Sequence, residues 1–422
     1  MLSRLSIMIS LGAIILITIF YIFFYINDVK RQKLYKFISN PYSIIRLYRA
    51  KSLHTQNLKN LARQLSEAPS AWTTANLVNS NFSISDIKDS IIADKLTLTE
   101  QFLDTNNIKY CRIKILNEAI YYKLNNQDAE SLSRAKKFLE ALKLIIQNID
   151  IKNLDFILST EDSVDLALPP NIAPIFVFAA SKDNIKNKLL VPDALTLYNY
   201  NNIYYESMAN NKLWSDKINK LVWRGASTGW IIDNSDNTRT SHMTLKNYHL
   251  FPRLRLVEYS LKRSDLIDAK FVQLVQMDKE LQEVLSRKNI IGSYMTYEEQ
   301  MNFRYQITMD GNSATYPGFL WRLMSNSLNF KEDSPEVQWF YPLLEPMVHY
   351  IPISRDLNDL PQKLDWAENN QTKASLIALN AALLVREKIK PNDLYLYLFL
   401  ILKEYSNYIG FVVDFDGDYK KF

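Results

Sequence analysis

The chain has 422 residues, too many for one small core and a suitable length for two domains of ordinary size. Its 47% hydrophobic and 23% charged residues are those of a globular protein, and a net charge of +5 spread along the chain gives nucleic-acid binding little electrostatic support. The single cysteine, Cys111, excludes an intrachain disulfide and a cysteine-rich zinc site, and it fits a reducing compartment.

Leu5 to Asn27 carries no charged residue and is long enough to span a bilayer core, which takes about 20 apolar residues. No small-residue cleavage site follows, so residues 1–27 read as an uncleaved transmembrane anchor. Only Arg4 and the terminal amine precede the span. Lys30, Arg31, Lys33, Lys36, Arg46 and Arg49 follow it, in or near a basic juxtamembrane segment at 28–51. The positive-inside rule then places the C-terminal part in the cytoplasm. The same basic residues, interleaved with Tyr35, Phe37 and Tyr48, either lie along an anionic leaflet or serve only as topology signals.

Residues 52 to about 148 read as mainly helical, with AESLSRAKKFLEALKLIIQNI from Ala129 showing the three- and four-residue spacing of an amphipathic helix. The pattern then changes. DFILST, APIFVF, KLVWRG, FVQLV, RYQITMDG, SLNFK and VHYIPI are short apolar or β-branched runs separated by helical stretches, which predicts parallel βαβ units and an α/β class. The polar stretch from Lys212 to Lys220 suggests a first domain at 52–215 and a second at 216–385. A strongly apolar helix at 386–412 reads as a packing helix, because Lys403 and Glu404 interrupt it, and a polar tail at 413–422 ends the chain.

Three segments carry candidate chemistry. RYQITMDGNSATYPGFLWR reads as strand, glycine turn and helix, with Gly311 after Asp310 for the reversal, Ser313 or Thr315 as helix cap, and Pro317 in the first turn. Backbone N–H groups at such a helix start, beyond a strand end, suit a phosphate. In VWRGASTG, Arg224 follows a strand, Gly225 permits close approach of the backbone, and Thr228 lies just beyond. A guanidinium there grips two phosphate oxygens or is an ordinary surface Arg, and Arg253 and Arg255 are candidates for the same cleft. DFILSTEDSVD sets Asp155, Glu161, Asp162 and Asp165 around a strand end, where a carboxylate can deprotonate a hydroxyl or merely cap a turn. Two further stretches have a plainer reading beside the functional one. Asp414, Asp416 and Asp418 in DFDGD form a divalent-ion motif or a frayed tail, and the tyrosines from Tyr198 to Tyr205 stack a sugar or pack at a domain edge.

In this order the segments resemble glycosyltransferase family 90, the group of lipopolysaccharide- and capsule-modifying proteins and animal protein O-glucosyltransferases. The likeness runs from Asp155 to Phe178, through Val222 to Gly229, and from Tyr305 to Ile353, ending on HYIPI and DLNDLPQKLDWAENN. It implies a GT-B-like fold of two Rossmann-type domains, an inverting transfer from a UDP-sugar donor, and neither a metal nor any other cofactor. The position matching the catalytic base is Asp162, with Glu161 as fallback. Arg224 matches the diphosphate-gripping Arg, and Asp310, Gly311, Asn312, Ser313, Ala314, Thr315 and Tyr316 fall in the donor-binding turn. Where the animal enzymes carry a second Arg after that turn, this chain has Pro317. Arg322 lies about 140° round the helix from that position, so Arg253, Arg255 or backbone N–H groups are left to supply the second charge. The implied partners are a UDP-sugar, a glycan, lipid-linked or protein acceptor, and a membrane, the bacterial inner membrane with the catalytic part cytoplasmic. A eukaryotic source would reverse this to the secretory lumen. The alternative is a non-catalytic, membrane-anchored sugar- or lipid-binding protein of the same fold.

Overall fold

The computed structural model describes residues 93–147, 153–209, 212–232, 238–406 and 418–422. The predicted span, the basic segment after it and residues 52–92 lie outside the described residues. Every described residue belongs to one unit of the chain, Asn60–Phe422. Among the described residues no helix is long and apolar enough to cross a membrane.

After α1 (Ala93–Thr105) the chain makes a hairpin of β1 (Tyr110–Leu116) and β2 (Ala119–Leu124), where the sequence predicts helix. Its two-residue turn, Asn117–Glu118, has φ of 48° and 63°. Such turns favour glycine at these positions, and its absence here left the hairpin without its usual signal. Arg112 on β1 is buried. It donates to both carboxylate oxygens of Asp155 at 3.0 and 2.8 Å and to Glu100 at 2.5 Å, so Asp155 belongs to an interior ion pair.

The predicted amphipathic helix is α2 (Ala129–Ile146), capped by Asp128, whose side chain accepts from the amides of Glu130 and Ser131. It buries Ala135, Phe138, Leu139, Leu142 and Ile145 at three- and four-residue spacing, each larger side chain contributing about 2–3 kcal/mol. The Phe138 ring lies 6.5 Å from both Phe156 and Phe178. Then come β3 (Leu154–Ser159), β4 (Ile175–Val177), β5 (Ala180–Ser181), β6 (Lys188–Leu190) and α3 (Ala194–Ala209). In this first sheet β3, β4 and β6 are parallel, whereas β1 runs antiparallel to β2 and β3. The sheet is therefore mixed, not the Rossmann type expected for both halves.

The second sheet does have the expected pattern. Its elements are β7 (Ile218–Ala226), the short ribbon β8 (Ile231–Ile232) and β9 (Arg239–Thr240), α4 (Pro252–Lys262), β10 (Ile267–Gln273), α5 (Lys279–Ser286), α6 (Tyr297–Gln300), β11 (Phe303–Thr308), α7 (Gly318–Met324), β12 (Leu328–Glu332), β13 (Glu336–Val337) and β14 (Ile351–Ile353). The order β10-β7-β11-β12-β14 is parallel throughout. Chain order reverses direction between β7 and β11. Leu221, Trp223, Phe271, Tyr305, Ile307 and Phe330 bury one continuous core against the covering helices.

Three helices close the chain: α8 (Leu360–Asn369), α9 (Gln371–Lys388) and α10 (Pro391–Ser406). The apolar α10 returns to the first sheet, where the Tyr397 hydroxyl donates to the Leu190 carbonyl at 2.7 Å. Tyr200 and Tyr204 of α3 likewise donate to the carbonyls of Ile389 and Arg386, so these two tyrosines of the run are packing, whereas Tyr198 is exposed. Asp414 and Asp416 lie outside the described residues. The expected frayed tail instead ends in β15 (Lys420–Lys421), paired antiparallel with β2.

Candidate active site

A doubly wound sheet opens a crevice beyond its strand ends where the chain order reverses. Here β7 and β11 end side by side, and a cleft of about 290 Å³ lies beyond them. Its second-sheet wall comprises Thr228, Arg253 and the turn from Gly311 to Tyr316. Its first-sheet wall comprises Arg134, Asp162, Phe178, Ala194 and Leu195.

The turn is held from behind by buried charge. Asp310 is 5% exposed, and its Oδ2 accepts from Lys331 at 3.0 Å and from Ser334. Its Oδ1 accepts from the Thr315 amide at 3.2 Å, and its own amide donates to Glu332 at 2.9 Å. Burial, reinforced by the Asp310 charge, pushes the Glu332 carboxyl up to about 7. Gly311 is required by close approach: a Cβ there would lie 2.8 Å from Thr228 Oγ1 and 2.9 Å from Arg253 Nη2. The Asn312 carbonyl accepts from Arg239 at 2.5 Å, and Ser313 donates to Glu336 at 3.2 Å. Ala314 is buried against the same cleft.

The helix cap differs from expectation. Thr315 turns its hydroxyl back to the Met309 carbonyl at 2.7 Å and Ser313 bonds to Glu336, so neither caps α7. That helix starts later, at Gly318, with Pro317 in the cap position and no side-chain cap bond.

Asp162 faces the cleft from the loop after β3, and its side chain is 38% exposed. Its Oδ1 accepts from Arg134 at 2.5 Å and from the Tyr316 hydroxyl at 2.9 Å, so Tyr316 joins the two walls. Burial, ahead of the neighbouring Asp162 charge, pushes the Tyr316 phenol well above its ordinary range and keeps it a neutral donor. Glu161 turns the other way and accepts from the Lys109 amide at 3.2 Å.

The arginines are distributed differently from the sequence expectation. Arg253 lines the cleft and fastens both strand ends. It donates to the carbonyls of Ala226, Met309 and Asp310 at 2.9, 2.9 and 3.0 Å and to Thr228 Oγ1 at 2.7 Å. Burial brings its guanidinium down to about 10. Arg255, two residues on, projects elsewhere on α4 and bonds the carbonyls of His249 and Asp356 at the exposed side. Arg224 does not line the cleft. Leu221 and Trp223 point into the core, so strand alternation turns Arg224 to the opposite face, where it pairs with Asp268 at 2.9 Å. Gly225 makes room for the Trp223 ring, which a Cβ would meet at 2.5 Å, and its role is packing rather than ligand approach. Arg322 is buried behind the turn, stacked 4.2 Å from the Trp321 ring and donating to the Gly318 carbonyl.

Sequence reasoning missed Arg134, Phe178, Ala194 and Leu195. Phe178 lay inside a recognised run, and Ala194 and Leu195 follow Asp193, which accepts from the Leu195 and Thr196 amides as a helix cap does. Arg134 sits four residues after Glu130 on a capped helix and reads as a surface pair. The assembled cleft offers a carboxylate on one wall and, on the other, a glycine turn with a buried guanidinium. A group that loses a proton and a group that leaves as an anion both find a partner there.

The family model described as glycosyl transferase family 90 matches residues 98–421. Human protein O-glucosyltransferase 3 is 33% identical over 154 residues, which are 36% of this chain and 29% of that protein. Protein O-glucosyltransferase 2 of Danio rerio is 24% identical over 313 residues, 70% of this chain and 55% of its own length. The chain thus spans about a third to about half of these relatives. Among solved structures it is similar to the Anabaena protein HepE in complex with UDP-glucose, at 10% identity and a TM-score of 0.33, covering 55% of this chain and 64% of that one. With the family model covering most of its length, and as the motifs around Asp162 and Gly311 led us to expect, this chain belongs to glycosyl transferase family 90.

Proposed function

We propose that the protein is an inverting glycosyltransferase that moves a sugar from a UDP-sugar to an acceptor hydroxyl, on a GT-B-like arrangement of its two α/β halves. The carrying observation is Asp162 on one wall of a cleft whose other wall is the Gly311–Tyr316 turn at the reversal point of the parallel sheet. The acceptor hydroxyl attacks the anomeric carbon from the face opposite the leaving group while Asp162 takes its proton. The bond to the diphosphate breaks through an oxocarbenium-like transition state, and the departing UDP keeps the electron pair. In this reading Arg253 and the turn amides not already donated to Ser313 and Asp310 stabilise the charge that grows on the diphosphate, a contribution of about 3–4 kcal/mol for a well-placed donor. Family membership and relatives named as protein O-glucosyltransferases support the reaction class and make a protein one candidate acceptor beside a glycan or a lipid-linked sugar.

The same reading takes the transfer to need no metal, the protein to be anchored through residues 5–27, and its catalytic part to be cytoplasmic, in lipopolysaccharide or capsule modification. The uncharged span and the basic residues after it support the anchor and its orientation.

One experiment tests the core of the proposal. UDP release is followed from UDP-glucose, UDP-galactose and UDP-xylose, with and without hydroxyl acceptors and with and without EDTA. Asp162→Asn is expected to abolish acceptor-dependent release and keep UDP binding. Full activity in that variant removes Asp162 as base, and loss of wild-type activity in EDTA removes metal independence.

A further inference from the structure

Every hydrogen bond that the described residues make to the Asp162 carboxylate goes to a single oxygen. Arg134 Nη2 reaches Oδ1 at 2.5 Å and the Tyr316 hydroxyl reaches it at 2.9 Å. The single Tyr316 proton is shared with the Asp162 backbone carbonyl at 3.2 Å, the longer of the two contacts. Arg134 is itself held on three sides. Its Nη1 donates to the Thr160 carbonyl at 2.7 Å, two residues before Asp162, and its Nη2 also meets Glu130 Oε1 at 2.5 Å, one helical turn back on α2. With a side chain only 17% exposed and lining the cleft, Arg134 is a fixed prop.

From this geometry we infer that Arg134 is a positioning residue of the transfer, with Tyr316 as its second donor. Together they clamp Asp162 by Oδ1 and leave Oδ2 to receive the acceptor's proton. The inference rests on Asp162 being the base and adds which oxygen acts and what aims it. The balance is simple. The acceptor oxygen forms its bond to the anomeric carbon, its proton passes to Oδ2, and the anomeric carbon–oxygen bond breaks with its electron pair leaving on the diphosphate. Oδ1 stays hydrogen-bonded throughout. A carboxylate with one oxygen pinned by two donors has little freedom to rotate, and a misplacement of about 1 Å can cost on the order of a hundredfold in rate. Arg134 acts through Asp162 rather than on the donor, so its loss lowers kcat and leaves donor KM and UDP affinity in place.

The test uses the full chain with whichever of UDP-glucose, UDP-galactose and UDP-xylose the wild type turns over. Arg134→Ala is expected to lower kcat about a hundredfold, with donor KM and UDP affinity within about twofold of wild type. Low concentrations of guanidinium ion added back are expected to restore part of kcat. Arg134→Lys, which keeps the charge but not the fork that meets Thr160, Glu130 and Asp162 together, is expected to fall between wild type and Arg134→Ala. Tyr316→Phe is expected to lose about tenfold in kcat, consistent with removal of one charge-assisted hydrogen bond. Wild-type kcat in Arg134→Ala, or a parallel loss of kcat and UDP affinity without guanidinium rescue, overturns the inference. If Arg134→Ala does not fold, unchanged kcat in both Arg134→Lys and Tyr316→Phe overturns it equally. Asp162→Asn, run alongside, separates the two levels. Activity retained there removes the base assignment, whereas activity lost there with Arg134 variants unaffected removes only the clamp.

Discussion

Replacing Arg253 by methionine keeps the apolar stem of the side chain and deletes its four hydrogen bonds, to the carbonyls of Ala226, Met309 and Asp310 and to the Thr228 hydroxyl. The Thr228 hydroxyl can rotate to another partner and the Met309 carbonyl keeps the Thr315 hydroxyl at 2.7 Å, so the cost falls on the carbonyls of Ala226 and Asp310. Each buried acceptor left unsatisfied costs about 1–3 kcal/mol, and cleft water reduces this towards the lower end. The sum is about 2–3 kcal/mol. Removing a guanidinium that burial already brings down to about 10 returns some desolvation free energy, about 1 kcal/mol. The net expectation is a loss of about 1–2 kcal/mol, read as the difference in urea unfolding free energy from wild type by tryptophan fluorescence. Arg255→Met is the internal control, since its two bonds lie at the exposed side of the same helix and its loss should stay within about 0.5 kcal/mol. A loss below about 0.5 kcal/mol for Arg253→Met, or equal losses for the two variants, would refute the view that Arg253 fastens the ends of β7 and β11.

Gly311→Ala places a Cβ 2.8 Å from Thr228 Oγ1 and 2.9 Å from Arg253 Nη2, and the overpacking should cost about 1–3 kcal/mol. It should also weaken UDP binding at least tenfold by calorimetry, and unchanged affinity would show that the turn is not the donor's seat. Stability should also fall as pH rises. Burial and the Asp310 charge lift Glu332 to about 7, and burial lifts Asp193 to about 6, so the folded state takes up protons between about pH 4 and 7 that the unfolded chain does not. This stabilisation is complete below the ordinary carboxylate range and lost as pH passes the folded values, at most about 3 kcal/mol for Glu332. The melting temperature should therefore be higher at pH 5.5 than at pH 8, with the difference reduced in Glu332→Gln, and a flat or reversed profile would contradict the assignment.

The second sheet was legible because its strands are buried on both faces and read as compact apolar runs bounded by polar residues. LVWRG, RYQIT and SLNFK all became parallel strands in one sheet. The hairpin of β1 and β2 was not legible. YCRIKIL carries Arg112 and Lys114, which look solvent-facing in a linear reading but are buried against Asp155 and Glu100. A buried ion pair between residues 43 apart leaves no periodic trace, because its partners come from different elements. The turn at Asn117 and Glu118 adopts a left-handed backbone without a glycine to announce it.

In the cleft, positions set by the backbone were read more accurately than those set by side-chain direction. The segment from Asp310 to Tyr316 could be placed beyond a strand end from the RYQIT run, the glycine after Asp310 and Pro317, and a Cβ at Gly311 would press on Thr228 and Arg253. An arginine has no such local signature, because what it reaches is set by the face of its element and by neighbours remote in sequence. Arg253 and Arg255 differ by about 200° around a helix, so at most one of them can face a given cleft. Which one was decided by Leu254, Leu256 and Val257, whose burial fixes the rotation of α4. Arg224 was lost in the same way, through the burial of Leu221 and Trp223 and an Asp268 supplied by the neighbouring strand. Arg134 was gained in the same way, since the apolar face from Ala135 to Ile145 turns it towards Asp162. The cations of this cleft are therefore chosen by core packing one layer away. A core substitution on α2 or α4 that rotates its helix should shift Arg134 or Arg253, and with it the charge presented to the ligand, without altering any residue of the cleft itself.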